Sequence, residues 1–349
     1  MKFSGAWTAL VTPFKEDLSI DWAGFKKNVE FQIREGISGL LPMGTTGESP
    51  TLDHNEHNEV NRKTFEYAGG ACPVIAGCGS NSTAESIKAV DSAYKAGVRA
   101  ALLIDCYYNG PSSFELRTMH YEVIVKKFPD VNFIPYIIPG RTGCELSPCD
   151  LAILARNCPN VNAVKEATGN IERMEIEGAI LPDEFSILSG DDGLTLEMMM
   201  SPRIKAKGVI SVMTNVAPGA ISSMCAMLIK GKYGAAEEMS KKLKPLFDVI
   251  TIKTTRKVEI EGKSYTVSDK FRNPVPVKTM MNALGMPGGS SRPPLGKMTP
   301  AGILYLRSAL STVWKLSPEI LKPIAEFYNV DIKSRLSDDA VWEALTAKL

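Results

Sequence analysis

Val161–Asn170 reads VNAVKEATGN, a mostly apolar run carried straight into Lys165, after which Glu166-Ala167-Thr168-Gly169 leaves the strand pattern and opens a turn. A lysine at the C-terminal end of a buried strand is poorly placed as a cation. Desolvation disfavours its ammonium form and lowers its pKa. The neutral amine is a nucleophile whose natural partner is a ketone or aldehyde, with which it forms a Schiff base. The plainer reading is a lysine that snorkels out of the strand end to pair with Glu166.

Working outward, strand and helix patterns alternate on both sides. Apolar runs at Ala6–Phe14, Gly39–Met43, Pro73–Gly77, Arg99–Tyr108 and Val131–Ile138 precede Val161–Glu166, and Phe185–Ser189 and Gly208–Met213 follow it. Amphipathic stretches lie between them at Asp21–Gly36, Asp53–Tyr67, Ala84–Ala96, Ser113–Lys127, Pro148–Asn157, Ile171–Ile180 and from Leu194. Ser82 or Thr83 reads as one N-cap, and Ser147 as another with Pro148 at the first helical position. The strands are short and continuously apolar, as parallel strands buried on both faces are. The pattern predicts an α/β fold, a (β/α)8 TIM barrel over residues 1–216. A doubly wound open sheet usually carries a Gly-rich phosphate loop after its first strand, and VTPFKEDLS is not one.

From Ala217 the alternation stops, and residues 217–349 read as a C-terminal helical region. Helices are expected at Ala220–Lys230, Tyr233–Phe247, Val275–Leu284, Ala301–Leu310, Pro318–Tyr328 and Asp338–Lys348, with a Gly- and Pro-rich loop over Gly285–Pro300. Within this region Arg256–Asp269 alternates with period two about Glu261-Gly262-Lys263, which predicts an exposed β-hairpin inserted between helices.

Composition narrows the function classes. A net charge of +1 gives no basic surface for nucleic acid or for an acidic membrane. No run of about 18 apolar residues predicts a membrane span, and the N-terminus has no signal-peptide pattern. Seven cysteines, an odd number without a CxxC pair, suggest reduced thiols in a cytoplasmic protein. The three histidines, His54, His57 and His120, leave little material for a metal site or a His-based triad, so no metal and no separate cofactor are expected.

In a barrel of this kind the C-terminal strand ends build the site. They bring Thr12, Gly44-Thr45-Thr46-Gly47-Glu48, Tyr107-Tyr108, Tyr136, Arg141, Lys165, Ser189-Gly190-Asp191 and Ile210-Ser211. The lysine supplies an amine, and tyrosine and threonine hydroxyls pass protons. The Thr45-Thr46-Gly47 backbone N–H groups and Arg141 suit a carboxylate, the arginine through two parallel hydrogen bonds. Tyr136 ends the strand before the lysine strand, so its hydroxyl is placed to reach the lysine nitrogen. Taken singly, a Tyr pair is ordinary packing and GTTG an ordinary turn; together they favour an imine-forming lysine.

These motifs carry a resemblance. GTTGES at Gly44–Ser49, Tyr107-Tyr108-Asn109-Gly110-Pro111, Tyr136 with PGRTG at Pro139–Gly143, KEATGN at Lys165–Asn170, SGDD at Ser189–Asp192 and GVISV at Gly208–Val212 resemble the dihydrodipicolinate synthase / N-acetylneuraminate lyase family of class I aldolases. The likeness runs from about residue 4 to 250 and resumes at NPVPVK, Asn273–Lys278; Arg256–Asp269 and the extension from about residue 315 have no counterpart in the family pattern. The resemblance implies a covalent imine between Lys165 and pyruvate, with Tyr136 as proton shuttle, Thr45 relaying to Tyr108 from a neighbouring subunit, and Thr46 and the adjacent backbone holding the pyruvate carboxylate. It implies Arg141 for the carboxylate of a second substrate and the Ile210 carbonyl for orienting pyruvate. An arginine at that position favours aspartate semialdehyde as the aldehyde partner, in lysine and diaminopimelate biosynthesis. A 2-keto-3-deoxy sugar acid or N-acetylneuraminate is the alternative substrate, and a binding protein without catalysis the non-enzyme alternative. The resemblance further implies a homo-oligomer, a dimer or a dimer of dimers (homotetramer). His57, Asn81, Glu85 and Tyr107 match the positions that hold free lysine in lysine-regulated synthases.

Overall fold

The computed structural model describes residues 1–348. Among them, eight parallel strands run as β1 Gly5–Ala9, β2 Gly39–Leu41, β3 Ala76–Gly77, β4 Ala100–Ile104, β5 Asn132–Ile137, β6 Ala163–Glu166, β7 Ser186–Ser189 and β8 Gly208–Ser211. The order is β2-β1-β8-β7-β6-β5-β4-β3. The ends of that order meet through a parallel bridge, Leu40 to Val74, where Leu40 N–H donates to Pro73 O at 3.0 Å and Ile75 N–H to Leu40 O at 2.9 Å. The expected (β/α)8 barrel is therefore present. Its eighth helix is Pro218–Ile229, which packs on β1.

Inside the barrel, Trp7, Leu41, Leu102, Ile134, Ala163 and Ile210 fill one buried cluster. Alternation along β6 sends Ala163 and Lys165 inward and Val164 and Glu166 outward under the helices. Several strands are shorter than their apolar runs. β1 stops at Ala9 and β4 at Ile104, although Leu10, Val11, Phe14 and Cys106 beyond them are also buried. Apolar character reports burial there rather than sheet pairing: Val11 N–H, for instance, is donated to the Asn215 side chain at 3.0 Å.

The hairpin expected at Arg256–Asp269 is longer and better anchored than its exposed centre suggested. β9 Thr251–Ile260 pairs with β10 Lys263–Arg272 in continuous antiparallel register. The strands turn at Glu261 and Gly262, both with positive φ (50° and 73°), as a two-residue hairpin turn requires. The root is buried on one face only. At the root Ile252 and Thr254 are buried, and Thr254 Oγ1 meets Thr299 Oγ1 at 3.3 Å beside the helix Pro300–Leu316. The polar face of each strand hid this root in the sequence.

The C-terminal helices share core with the barrel rather than standing apart. One buried cluster contains Val29, Val209 and Met213 together with Leu246, Ile324 and Trp342. Beyond the long helix, Lys322–Tyr328, Ile332–Ser337 and Asp339–Leu345 fold back. The Tyr328 hydroxyl donates to Asn28 Oδ1 at 2.8 Å, and Arg335 Nε donates to Ala283 O at 2.8 Å. The middle one of these helices was not expected from the sequence.

Candidate active site

Lys165 and Tyr136 are register partners on β6 and β5. The lysine Nζ lies 4.2 Å from the centroid of the Tyr136 ring, and both residues are buried. Burial pushes the Lys165 pKa down to about 7; the Asp192 carboxylate opposes the fall and the Arg141 charge adds to it. Glu166 is not its partner. It points to the other face, where Oε2 accepts from Arg173 Nε at 3.3 Å and Oε1 from Thr168 N–H at 2.7 Å. The plain pairing of Lys165 with Glu166 thus fails on the two-residue period of the strand. Gly190 packs against the amine's stem: a Cβ there would stand 2.7 Å from Ala167 Cβ and 3.3 Å from Lys165 Cε.

Asp192, in the SGDD stretch, is the acid behind the lysine. Ser211 Oγ and the N–H groups of Val212 (2.9 Å) and Met213 (3.4 Å) donate to its carboxylate. Burial nevertheless raises its pKa to about 6. The strand-end pattern of the sequence singles out Asp191 and gives Asp192 no role; only the packed β7–β8 junction distinguishes the two.

The GTTGE segment forms a 3₁₀ turn, Thr45–Gly47. Thr45 and Thr46 open that turn, so their N–H groups have no partner within it. Gly47 N–H donates back to Gly44 O at 3.1 Å, which corrects the expectation that it joins a carboxylate cradle. The glycine serves packing instead, since a Cβ would come within 3.2 Å of Leu10 O. Thr46 Oγ1 accepts from Asn273 Nδ2 at 3.0 Å, and the Thr45 side chain opposes the rise that burial imposes on the Tyr136 pKa. Behind the turn Glu48, at φ 59°, receives Lys278 Nζ at 2.6 Å in a fully buried ion pair.

Arg141 sits on the short turn Pro139–Thr142 and reaches the same pocket, a cavity of about 430 Å³ that Thr45, Thr46, Tyr136, Lys165 and Asp191 also line. One of its N–H groups, on Nη2, donates to Asn273 O at 3.0 Å. Desolvation, then the nearby Arg272 charge, lower its pKa. The Ile210 side chain is buried in the barrel interior on β8. Asn273, Lys270 and Arg272 were not anticipated as pocket residues. NPVPVK was legible as a motif, but only the folded hairpin root brings it to Thr46 and Arg141.

Tyr108 is elsewhere. It is 92% exposed at φ 75° and lines neither cavity. A second cavity of about 660 Å³ adjoins the first and is lined by Ser49, His54, His57, Ser80, Glu85 and Tyr107. Thr45 and Tyr136 line both cavities. His57 Nε2 lies 3.1 Å from Ser49 Oγ, and burial pushes its pKa down to about 4. Glu85 Oε2 accepts from Ser80 Oγ at 2.5 Å. Asn81 does not line this cavity; its Oδ1 is buried without a hydrogen-bond partner. Among the described residues no group of three or more His, Cys, Asp or Glu side chains is arranged to hold a metal ion, and no helix is long and apolar enough to cross a membrane.

Comparison with known proteins bears on this pocket. Residues 2–313 match the model of the dihydrodipicolinate synthetase family. The 4-hydroxy-tetrahydrodipicolinate synthase of Methanococcus vannielii is 38% identical over 309 residues, covering 88% of this chain and 98% of the relative. The solved structure of the synthase from Methylacidiphilum fumariolicum superposes with a TM-score of 0.81 at 35% identity, covering 93% of this chain and 99% of that one. The Cyanidioschyzon merolae dihydrodipicolinate synthase with lysine bound gives 0.80 at 32% identity over 90% of this chain and 99% of that one.

Proposed function

The chain belongs to the dihydrodipicolinate synthetase family, and we propose that it is a lyase condensing pyruvate with L-aspartate 4-semialdehyde to 4-hydroxy-tetrahydrodipicolinate through an imine on Lys165. The observation that carries this is the buried Lys165 amine, about half neutral at pH 7, over Tyr136 and in one pocket with Arg141. The neutral amine adds to the keto carbon of pyruvate, and loss of water gives the imine. Thr46, with the open N–H groups of the Thr45–Thr46 turn, takes the pyruvate carboxylate, and the Ile210 carbonyl orients the adduct. Loss of a methyl proton, carried by the Tyr136 hydroxyl, leaves an enamine. Its terminal carbon bonds to the aldehyde carbon of the acceptor, whose oxygen takes a proton and becomes the hydroxyl. The acceptor's own amine then attacks the imine carbon, closes the ring and frees Lys165, so one water is lost overall. Arg141 holds the acceptor carboxylate. No cofactor besides this imine is required.

We infer that the protein works as a homo-oligomer, at least a dimer, in which Tyr108 of one subunit completes the Thr45–Tyr136 relay of another. In support, Tyr108 is held in a left-handed conformation and projects into solvent from the single chain. The free cysteines suit a reducing compartment, the cytoplasm. The second cavity suits free lysine, with Glu85 for an ammonium and His57 and the Tyr107 hydroxyl for a carboxylate.

The test is borohydride trapping with pyruvate followed by peptide mapping, beside assays with aspartate semialdehyde, N-acetylneuraminate and 2-keto-3-deoxygluconate. A reduced three-carbon adduct on Lys165 and turnover with aspartate semialdehyde are expected. An adduct on another lysine overturns the mechanism, and turnover only with a sugar acid overturns the substrate.

A further inference from the structure

The hairpin root is part of the pocket. β9 and β10 place Thr251 opposite Arg272 and Lys253 opposite Lys270, so these four share one face of the ribbon. The other face carries Ile252, Thr254 and Phe271 toward the helix Pro300–Leu316. Thr251, Lys270 and Arg272 line the Lys165 pocket, and Lys253 is the register partner of Lys270 on the same face. Two lysines directly opposite on one face repel, a pairing a purely structural ribbon avoids. The carboxylate of this part of the hairpin, Asp269, is paired with Arg256 at 2.9 Å on the opposite face. Among the described residues no carboxylate pairs with Arg141, Lys253, Lys270 or Arg272. Of the three acids lining the pocket, Asp248 is held by Lys244 at 2.6 Å, Asp191 accepts from Gly193 N–H at 2.9 Å and Asp192 from Val212 N–H at 2.9 Å.

Two of these cations are braced by each other's segments. Arg272 Nη1 donates to Gly140 O at 3.0 Å, next to Arg141, and Arg141 Nη2 donates to Asn273 O at 3.0 Å, next to Arg272. Each guanidinium has five N–H donors, so these single bonds fix its position and leave a fork free for a ligand. The mutual proximity of the charges is felt: Arg272 is the leading cause of the lowered Lys270 pKa and contributes to that of Arg141. A site of unpaired, mutually repelling cations beside an electrophile-binding lysine is complementary to an anion.

We propose that Arg272 is a second carboxylate-binding residue for the acceptor aldehyde, set beside Arg141 by the hairpin, with Lys270 and Lys253 forming the cationic approach to it. This rests on the condensation reading above. Pyruvate is held deeper, at Lys165 and the Thr45–Thr46 turn, whereas Arg141 and Arg272 meet at the mouth where the second substrate enters. Two planar forks on one carboxylate discriminate against aldehydes that lack it more sharply than one does.

The experiment uses the full chain and the variants Arg272→Gln, Arg272→Lys, Lys270→Gln, Arg141→Ala and the Arg141→Ala/Arg272→Gln pair. Arg272→Gln should raise KM for aspartate semialdehyde by about tenfold or more, with kcat and borohydride trapping of pyruvate changed much less. Arg272→Lys should recover part of the loss, since it restores charge without the fork. Lys270→Gln should flatten the salt dependence of kcat/KM for the aldehyde. If Arg272 acts only by bracing the Arg141 turn, Arg272→Gln will add nothing in the Arg141→Ala background, and that overturns the proposal. So does an unchanged aldehyde KM with trapping intact. Calorimetric titration of succinate semialdehyde, which keeps the carboxylate and lacks the amine, separates the two levels. Binding weakened by Arg272→Gln in an enzyme that turns over no aspartate semialdehyde keeps this site and refutes the substrate; binding unaffected by Arg272→Gln refutes this site and leaves the substrate to the turnover assay.

Discussion

Lys165 Nζ lies over the Tyr136 ring at 4.2 Å, and the two residues are direct register partners on adjacent parallel strands. An aromatic face attracts an ammonium, yet burial outweighs that attraction and holds the amine near a pKa of 7 against an ordinary 10.5. Imine formation is therefore expected to fall about tenfold per pH unit well below 7 and to level off above it, measured as the rate of borohydride-trapped adduct. The stability consequence has a definite sign. The native pKa lies below the unfolded one, so between about pH 7 and 10.5 the unfolded chain binds the extra proton and stability rises with pH. Lys165→Met, which removes the buried amine, should stabilise by roughly 1–3 kcal/mol at or below pH 7 and lose that gain as pH rises toward 10. Denaturant midpoints at pH 6.5 and 9.5 check it; a gain that grows with pH would contradict the assignment.

Arg141→Ala should damage condensation more than imine formation. Loss of a charge-assisted contact to the acceptor carboxylate costs on the order of 2–4 kcal/mol, about 30- to 1000-fold in kcat/KM. Pyruvate trapping on Lys165 should persist. An unchanged rate with aspartate semialdehyde would remove Arg141 from acceptor binding.

Tyr108→Phe should lower turnover about 10- to 1000-fold while leaving subunit affinity nearly unchanged, because only a hydroxyl is removed from the proton relay. The comparison is steady-state kinetics beside sedimentation at assay concentration. A fully active monomer would show that the partner's tyrosine is dispensable.

L-lysine should inhibit, with Glu85→Ala relieving the inhibition. Thr45 and Tyr136 form a wall common to the two cavities, so lysine binding is expected to change pyruvate affinity by roughly 5- to 150-fold. His57 stays neutral across pH 6–8, its pKa being about 4, so this histidine should impose no pH dependence on inhibition in that range. Absence of inhibition at millimolar lysine, or inhibition that Glu85→Ala leaves intact, would refute the site.

Glu48 and Lys278 form a buried ion pair at 2.6 Å behind the Thr45–Gly47 turn. Glu48→Ala strands the lysine charge and should cost roughly 3–5 kcal/mol, whereas Glu48→Leu/Lys278→Met together should recover much of it. Urea unfolding of the three proteins measures this; a single variant no less stable than the double would mean that the lysine charge is relieved by its other contacts, Thr12 O and Ser290 O.

The sequence by itself determined the barrel and the place of its buried lysine. Eight apolar runs alternating with amphipathic ones admit few architectures, and a lysine placed at the end of VNAVK inherits a position that strand periodicity defines. It also set Tyr136, Thr45 and Arg141 at strand ends, because those ends converge in any such barrel. Tertiary structure alone decided the rest, for a physical reason: contacts between segments far apart in the chain leave no periodic trace. The outward turn of Glu166 into Arg173, the choice of Asp192 over Asp191 behind the lysine, and the use of Gly47 N–H within its own turn depend on packing across strands. The hairpin shows the limit most clearly. Its alternation was legible, but Lys270 and Arg272 read as solvated charges until the burial of Ile252 and Thr254 on the opposite face turned them into the pocket.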